Sequence, residues 1–166
     1  PVENISLYAN YIEGLKAPEV VAGATTYSNV GEIIPPAQTK QKEAGVKIDM
    51  GRITATASVF DITSPNTMSV AVPGLVLPAR RLAGEQRNRG MELYVFGEVV
   101  PTLRVLGGVT LIDGEVVKQA VSVGPTIISY NGNRPVGVSA LNVNFGAEWD
   151  TPFVKGLTLT GRVIRT

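Results

Sequence analysis

Apolar and polar residues alternate along several short stretches of this chain. Residues 52–59 place an apolar side chain at every odd position, from Ile53 to Val59, with small polar side chains between them. Residues 141–149 repeat the pattern from Leu141 to Trp149. Because successive side chains of a β-strand point to opposite faces, a period of two predicts strands with one apolar face.

Seven strands are predicted, and most are about as long as the roughly ten residues that a tilted strand needs to cross a bilayer. They cover residues 5–13, 40–50, 52–62, 87–98, 102–113, 137–150 and 156–165. Short turns near positions 51, 100 and 152 alternate with long connections over 14–39, 64–84 (with a short internal strand near 68–72) and 114–135. Such alternation is typical of an outer-membrane barrel, with short periplasmic turns and long outer loops. The predicted fold class is therefore all-β: an antiparallel meander forming part of a transmembrane β-barrel.

The alternation also assigns each strand residue to a face. The outward face, predicted to contact lipid, carries Val46, Ile48, Ile53, Ala55, Ala57, Val59, Met91, Leu93, Val95, Leu103, Val105, Val109, Leu141, Val143 and Phe145. The inward face, predicted to line the lumen, carries Glu43, Lys47, Asp49, Thr54, Thr56, Ser58, Glu92, Glu98, Arg104, Asn142, Asn144, Glu148, Thr158, Thr160 and Arg162. Charge is expected inward because a cation at the lipid-facing midplane costs about 2–4 kcal/mol.

Three apolar side chains depart from this assignment. Phe96 and Leu106 fall on the inward face, and Phe60 leaves the register of residues 53–59 unless it lies beyond the edge of the bilayer. Either they contact a plug inside the lumen or the registers slip there by one residue.

Composition narrows the possible functions. Charged residues make up 17% of the 166 residues and the net charge is +1, so no strong field favours nucleic acid. The chain contains no Cys and no His, which removes thiolate and imidazole chemistry and predicts no catalytic, metal or cofactor site. No stretch of 18 apolar residues predicts a transmembrane helix, and residues 1–4 do not read as a signal peptide. A membrane location therefore requires the chain to be part of a longer protein.

Four phrases resemble those of siderophore-type TonB-dependent outer-membrane receptors. They are SLYANYIEGL at 6–15, QKEAGVK at 41–47 after Pro35-Pro36, GEQRNRGMEL at 84–93 and GLTLTG at 156–161. Their order and spacing also fit that family, and the likeness extends over nearly the whole chain.

This resemblance implies a barrel of about 22 strands with a plugged lumen, which imports ferric siderophores. Energy would come from the TonB complex acting on the plug, and the other partners would be the lipid bilayer and lipopolysaccharide of a Gram-negative outer membrane. Residues 1–166 would then be one partial barrel domain, with the plug and the terminal strand lying outside it.

Charged and loop residues supply the remaining candidates, although no ligand-binding residue can be assigned from the sequence. Glu43 and Glu92 are predicted to pair with arginines such as Arg104 or Arg162 rather than to act as catalytic or metal-binding carboxylates. A cluster of arginines is either a solvated rim or a site for an anionic siderophore or a lipopolysaccharide phosphate. Its members are Arg80, Arg81, Arg87 and Arg89. Predicted outer loops carry Tyr27, Tyr130, Asn131, Asn133 and Arg134, where a receptor would contact its ligand.

Two other functions compete with the receptor hypothesis. A soluble β-sandwich-like binding or adhesive domain would show its apolar face against a second sheet. An enzyme would need a base that this chain lacks, so no catalytic activity is expected.

Overall fold

The computed structural model describes residues 3–23, 25–123 and 126–166. Every regular element in this part of the chain is a β-strand, and none of it forms a helix long and apolar enough to cross a membrane. The strands are β1 (Ile5–Lys16), β2 (Glu19–Val20), β3 (Ile33–Ile34), β4 (Ala37–Asp49), β5 (Ile53–Val70), β6 (Ala79–Val100), β7 (Leu103–Lys118), β8 (Ala120–Val123), β9 (Thr126–Ser129), β10 (Leu141–Asp150) and β11 (Thr158–Arg165).

Seven of these strands form a single antiparallel sheet in the order β1-β4-β5-β6-β7-β10-β11. They are the seven strands that the alternation predicts, paired as a meander, so the predicted fold class is confirmed. The two remaining ladders, β2-β3 and β8-β9, are small hairpins within the long connections. Since β1 and β11 have no second neighbour in the described sheet, the barrel is not closed by this chain.

Strands β1, β4, β5, β6 and β7 reach further toward the long connections than predicted, whereas β10 begins at Leu141 and not at position 137 as predicted. The connection predicted over 64–84 is wrong in extent, because β5 continues to Val70 and β6 already begins at Ala79. The short strand predicted near 68–72 is the end of β5, paired with β6. The connection predicted over 114–135 likewise begins as strand, since β7 reaches Lys118; Gly124 and Pro125 of that connection lie outside the described residues. Alternation fades here because these strand ends lie beyond the apolar band, where no hydrocarbon requires one face to be apolar.

The sheet register confirms the predicted division into two faces. Antiparallel partners lie on the same face, and one ladder joins Val46, Ala57, Leu93, Val109 and Val143 across five strands. On the opposite face the same sheet joins Glu98, Arg104 and Glu148. No slip occurs within residues 53–63, so Phe60 is an inward residue in register.

Phe60 is explained by the glycine beside it. Its ring lies over Gly90, its cross-strand partner, where a Cβ would stand 2.5 Å from the ring. Tyr94 covers Gly108 in the same way on the same face. An aromatic ring lying flat over a strand glycine fills the space that the absent side chain leaves.

Few residues of this sheet are buried. The buried apolar side chains among the described residues are Val21, Ile34, Ala37, Ala79 and Val116, all near the long connections. Large apolar residues such as Leu93 and Val59 remain more than half exposed, and no second sheet of comparable size covers them in the described chain. A soluble sandwich would bury that face, so the soluble alternative is not supported.

Candidate functional site

The inward face at the short-turn end is crossed by an ion-pair network around Arg104. The guanidinium donates to Glu148 at 3.2 Å and to both oxygens of Asp150 at 2.9 and 3.1 Å. Thr158 donates a further hydrogen bond to Asp150 at 2.7 Å. These bonds tie β7 to β10 and β10 to β11, so this network fixes the geometry of the wall.

The predicted pairing of Glu43 and Glu92 with Arg104 or Arg162 is wrong. Arg104 is opposite Glu148 in the register, whereas Glu92 is opposite Ser58 and Thr110. Arg162 instead donates to the amide oxygen of Asn144 at 3.0 Å. The sequence identified the correct face but not which strand positions are neighbours.

Glu43 and Glu92 are held by neutral groups instead. The hydroxyl of Tyr8 donates to Glu43 at 2.8 Å, and the amide of Gln41 donates to it at 3.1 Å. Glu92 accepts a longer hydrogen bond, of 3.4 Å, from Thr110. Neither carboxylate forms an ion pair within the described part of the chain. Two inward acidic groups therefore remain available to a cation from outside this sheet.

Above these two carboxylates, toward the long connections, the inward face becomes polar without charge. Up to the register shift at Asn66, the inward positions of β4, β5 and β6 carry only neutral side chains. Asn66 donates to Gln86 at 3.4 Å and Gln86 donates to Asn88 at 3.3 Å. We call this surface the upper wall, and its polar members are Thr39, Gln41, Ser64, Asn66, Gln86 and Asn88.

The four arginines predicted as one cluster form two groups in different surroundings. Arg80 lies 2.9 Å from Glu19, and Arg81 lies 3.1 Å from Glu32, so both are neutralised by the connection between β1 and β4. Arg87 and Arg89 contact Asp61 on the outward face. The four arginines therefore do not form the single cluster that the sequence suggested, and each has a carboxylate partner.

Tyr27 belongs to the group around Arg80. The guanidinium lies 5.7 Å from the centre of the Tyr27 ring and donates to its hydroxyl at 3.3 Å. The hydrogen bonds from Arg80 and Ser69 hold the pKa of the Tyr27 hydroxyl below its usual range. This contact holds the connection between β1 and β4 against β6, and the Tyr27 hydroxyl already accepts one hydrogen bond from Arg80.

Asn29 fastens the same loop to β6. Its amide nitrogen donates to the Arg80 carbonyl at 2.9 Å, and its amide oxygen accepts from the Arg80 backbone N–H at 2.9 Å. The Asn29 side chain thus satisfies the Arg80 N–H and C=O groups as a neighbouring strand would. No signal in the sequence distinguishes Asn29 from the other asparagines of the long connections.

Replacing Asn29 with alanine should detach the connection between β1 and β4 from β6 at Arg80. The loss of both hydrogen bonds leaves two backbone groups to be satisfied by water, at a cost of about 1–3 kcal/mol. We expect amide hydrogen exchange at Arg80 to become roughly tenfold faster in the intact receptor. Mass spectrometry of peptides covering 78–82 measures this, with the exposed β1 variant Asn10→Ala as control. Unchanged exchange at Arg80 would contradict the assigned role.

Asn131 and Asn133 form hydrogen bonds within the connection between β7 and β10. The sequence predicted that both would contact a ligand. Asn131 accepts from the backbone N–H of Gln119 at 2.8 Å, and the Asn133 carbonyl accepts from Val116 at 2.8 Å. A surface depression next to the upper wall is lined by Tyr130, Asn133 and Arg134 together with Gln86. The structure therefore brings three of the predicted loop residues together, whereas Tyr27 lies elsewhere.

The described residues hold no group of three or more acidic side chains arranged to bind a metal ion. The arrangement offers hydrogen-bond donors, acceptors and two carboxylates on one face of the sheet, which suits binding.

Comparison with known proteins assigns the chain. Residues 1–165 match the family described as TonB dependent receptor-like, beta-barrel. The ferrichrome receptor FcuA of Yersinia enterocolitica is 42% identical over 173 aligned positions, which cover 100% of this chain and 21% of that protein. The ferrichrome outer membrane transporter/phage receptor of Escherichia coli is 29% identical over 134 positions, covering 78% of this chain and 16% of that protein.

Solved structures agree. The ferric preacinetobactin receptor BauA of Acinetobacter baumannii superposes with a TM-score of 0.74 at 41% identity, covering 98% of this chain and 23% of that one. The siderophore receptor PiuA of the same species shares the fold, with a TM-score of 0.70 at 21% identity, over 90% of this chain and 22% of that one. The chain thus spans about a fifth of the length of these relatives. The predicted outer-membrane location and the resemblance are confirmed: this chain belongs to the TonB-dependent receptor β-barrel family, a family of transport receptors.

Proposed function

We propose that this chain is part of the barrel wall of a longer receptor that takes up ferric siderophores across the outer membrane. The observation that carries the proposal is the contrast between its two faces. The outward face is an exposed apolar band, whereas the inward face is a hydrogen-bonded polar wall. A wall of this kind separates lipid from a passage for a polar cargo. Its relatives named as ferrichrome and ferric preacinetobactin receptors supply the class of that cargo.

Further partners follow from the same proposal. A plug domain outside this chain would fill the lumen and meet Glu43 and Glu92, whose lack of an in-sheet cation favours a basic partner. The TonB complex would act on that plug, and the outward face would meet the lipids of the outer membrane, lipopolysaccharide included. The chain binds and guides its cargo and catalyses no bond change in this account.

The upper wall favours an electroneutral cargo. Its inward side chains are amides and hydroxyls, which hydrogen-bond to neutral oxygens but do not balance a large negative charge. Three hydroxamate anions around Fe³⁺ give a neutral complex, whereas three catecholates give a trianion. We therefore propose a ferric hydroxamate as the cargo, in line with the ferrichrome receptor at 42% identity.

Uptake of radiolabelled iron tests the proposal. Cells that lack their own hydroxamate receptors and express the intact receptor should accumulate iron from ferrichrome, and a TonB-deficient host should not. A ferric tris-catecholate supplied at the same concentration should give at least about tenfold less uptake, since an uncompensated buried charge costs several kcal/mol. Equal uptake of both complexes would contradict the assigned cargo, and uptake of neither would contradict the transport function.

A further inference from the structure

The connection between β7 and β10 contains the pair Asn131-Gly132, the one place in the sequence where glycine follows asparagine. Both residues are exposed. An asparagine followed by glycine is chemically labile, because glycine has no side chain to hinder the attack of its backbone nitrogen on the side-chain carbonyl carbon of the asparagine. In an unstructured chain this pair therefore loses ammonia slowly at neutral pH.

The structure holds both reacting groups of the pair. The backbone N–H of Gly132 donates to the Val116 carbonyl at 2.9 Å, and the side-chain oxygen of Asn131 accepts from the Gln119 backbone N–H at 2.8 Å. Asn131 also donates its own backbone N–H to the Ser129 hydroxyl at 3.3 Å. The nucleophilic nitrogen and the group that it would attack are thus bonded to residues at the end of β7 rather than free to approach each other.

A β-turn over residues 130–133 fixes the backbone around the pair. The Asn133 N–H donates to the Tyr130 carbonyl at 3.1 Å, and Gly132, with a φ of +81°, is the one residue of the turn with a positive φ. This pattern is that of a type II turn, which favours glycine at its third position. The Asn133 carbonyl accepts from the Val116 N–H at 2.8 Å. Val116 therefore bonds both sides of the turn, and the Gly132 nitrogen is released only when the turn detaches from β7.

We propose that Asn131 is a deamidation site that the folded connection keeps unreactive, so that modification follows only after the turn detaches from β7. The Gly132 nitrogen then attacks the Asn131 side-chain carbonyl carbon, a C–N bond forms, and the side-chain amide group leaves as ammonia with the proton of the Gly132 N–H. Water opens the resulting succinimide to aspartate or isoaspartate. These steps use no oxidant, reductant or cofactor, and they do not depend on which cargo the receptor carries.

The two products affect the connection differently. Aspartate keeps the same backbone and offers a carboxylate oxygen to the Gln119 N–H, so the turn closes again. Isoaspartate adds one carbon to the main chain of the turn, which shifts the Gly132 N–H away from the Val116 carbonyl. Either product adds a negative charge beside Tyr130, which lines the depression next to the upper wall. Detachment of the turn thus leaves a permanent chemical mark on this depression.

The intact receptor in detergent tests the proposal without any substitution. Deamidation at Asn131 is followed by mass spectrometry of peptides covering 127–134 at slightly alkaline pH, in the folded receptor and after unfolding by urea. We expect the folded receptor to react at least about tenfold more slowly, because several hydrogen bonds must open together before the reaction. Asn133, which Arg134 follows, is the internal control and should stay unmodified in both samples. Equal rates in the two states, or no product at Asn131 in urea, would overturn the proposal.

Hydrogen exchange tests whether detachment from β7 controls the reaction. Urea concentrations below the unfolding transition should accelerate amide exchange at Gly132 and deamidation at Asn131 in the same proportion, since both require the same opening. Asn131→Asp should leave Gln119 and Gly132 as protected as in the wild type, whereas receptor carrying isoaspartate should exchange both at least about tenfold faster. Deamidation that proceeds while Gly132 stays protected, or an Asn131→Asp variant that exchanges like the isoaspartate product, would contradict the proposed control.

Discussion

An arginine in place of Leu93 is expected to lower the amount of receptor that assembles in the outer membrane. Leu93 is 51% exposed on the outward face, where its ladder neighbours are Ala57 and Val109. A cation placed there faces hydrocarbon and costs about 2–4 kcal/mol. The amount of folded receptor should fall severalfold, which heat-modifiable migration in electrophoresis of outer-membrane fractions measures.

Leu106→Arg provides a matched control. Leu106 is 49% exposed, so the two leucines differ in face rather than in chemistry or exposure. Its inward surroundings are polar and carry charges of both signs, among them Glu98, Glu148 and Arg162, so a guanidinium there stays hydrated and does not face hydrocarbon. We expect Leu106→Arg to assemble close to the wild-type level. Equal loss in both variants would contradict the assignment of the two faces.

A methyl group at Gly97 is expected to be almost as damaging, for a purely backbone reason. Gly97 has a φ of +144°, in the region that glycine tolerates and other residues rarely adopt. An added Cβ would collide with the carbonyl oxygen of Arg52 and stand 2.7 Å from the Cα of Ile53. Backbone strain and overpacking together should destabilise the folded barrel by about 2–6 kcal/mol.

The urea midpoint of the refolded intact receptor measures the effect of Gly97→Ala. Gly161→Ala is the control, because a Cβ there meets no heavy atom within 4 Å of its position. We expect a clearly lower midpoint for Gly97→Ala and an unchanged one for Gly161→Ala. If both variants behave alike, the close approach of β6 to the turn before β5 is wrongly placed.

The sequence alone predicted the spanning parts of the strands and their faces. Alternation is a local property, because lipid on one side and a wet lumen on the other impose opposite demands on successive residues. Even Phe60, an apolar residue on the inward face, keeps its register opposite Gly90. Beyond the bilayer that demand disappears, so the outer halves of β5 and β6 were read as loop although the two strands remain paired.

The sequence did not predict which side chains are neighbours on adjacent strands. A face assignment places Glu92 and Arg104 on the same side, but only the register shows that Arg104 is opposite Glu148. Arg80 and Arg87 are close in sequence, yet one is neutralised by Glu19 and the other contacts Asp61 on the outward face. Asn29 owes its role to a loop that folds back on β6, which no local pattern encodes.

The amino-acid sequence by itself thus determined the family, the meander of seven strands and the division into a lipid-facing and a lumenal side. Each of these follows from the order of residue types along one strand or one phrase. Only the tertiary structure decided which charges meet and where the neutral upper wall lies. Those features depend on the stagger between strands and on the folding of long connections, which bring together residues that are distant in the chain.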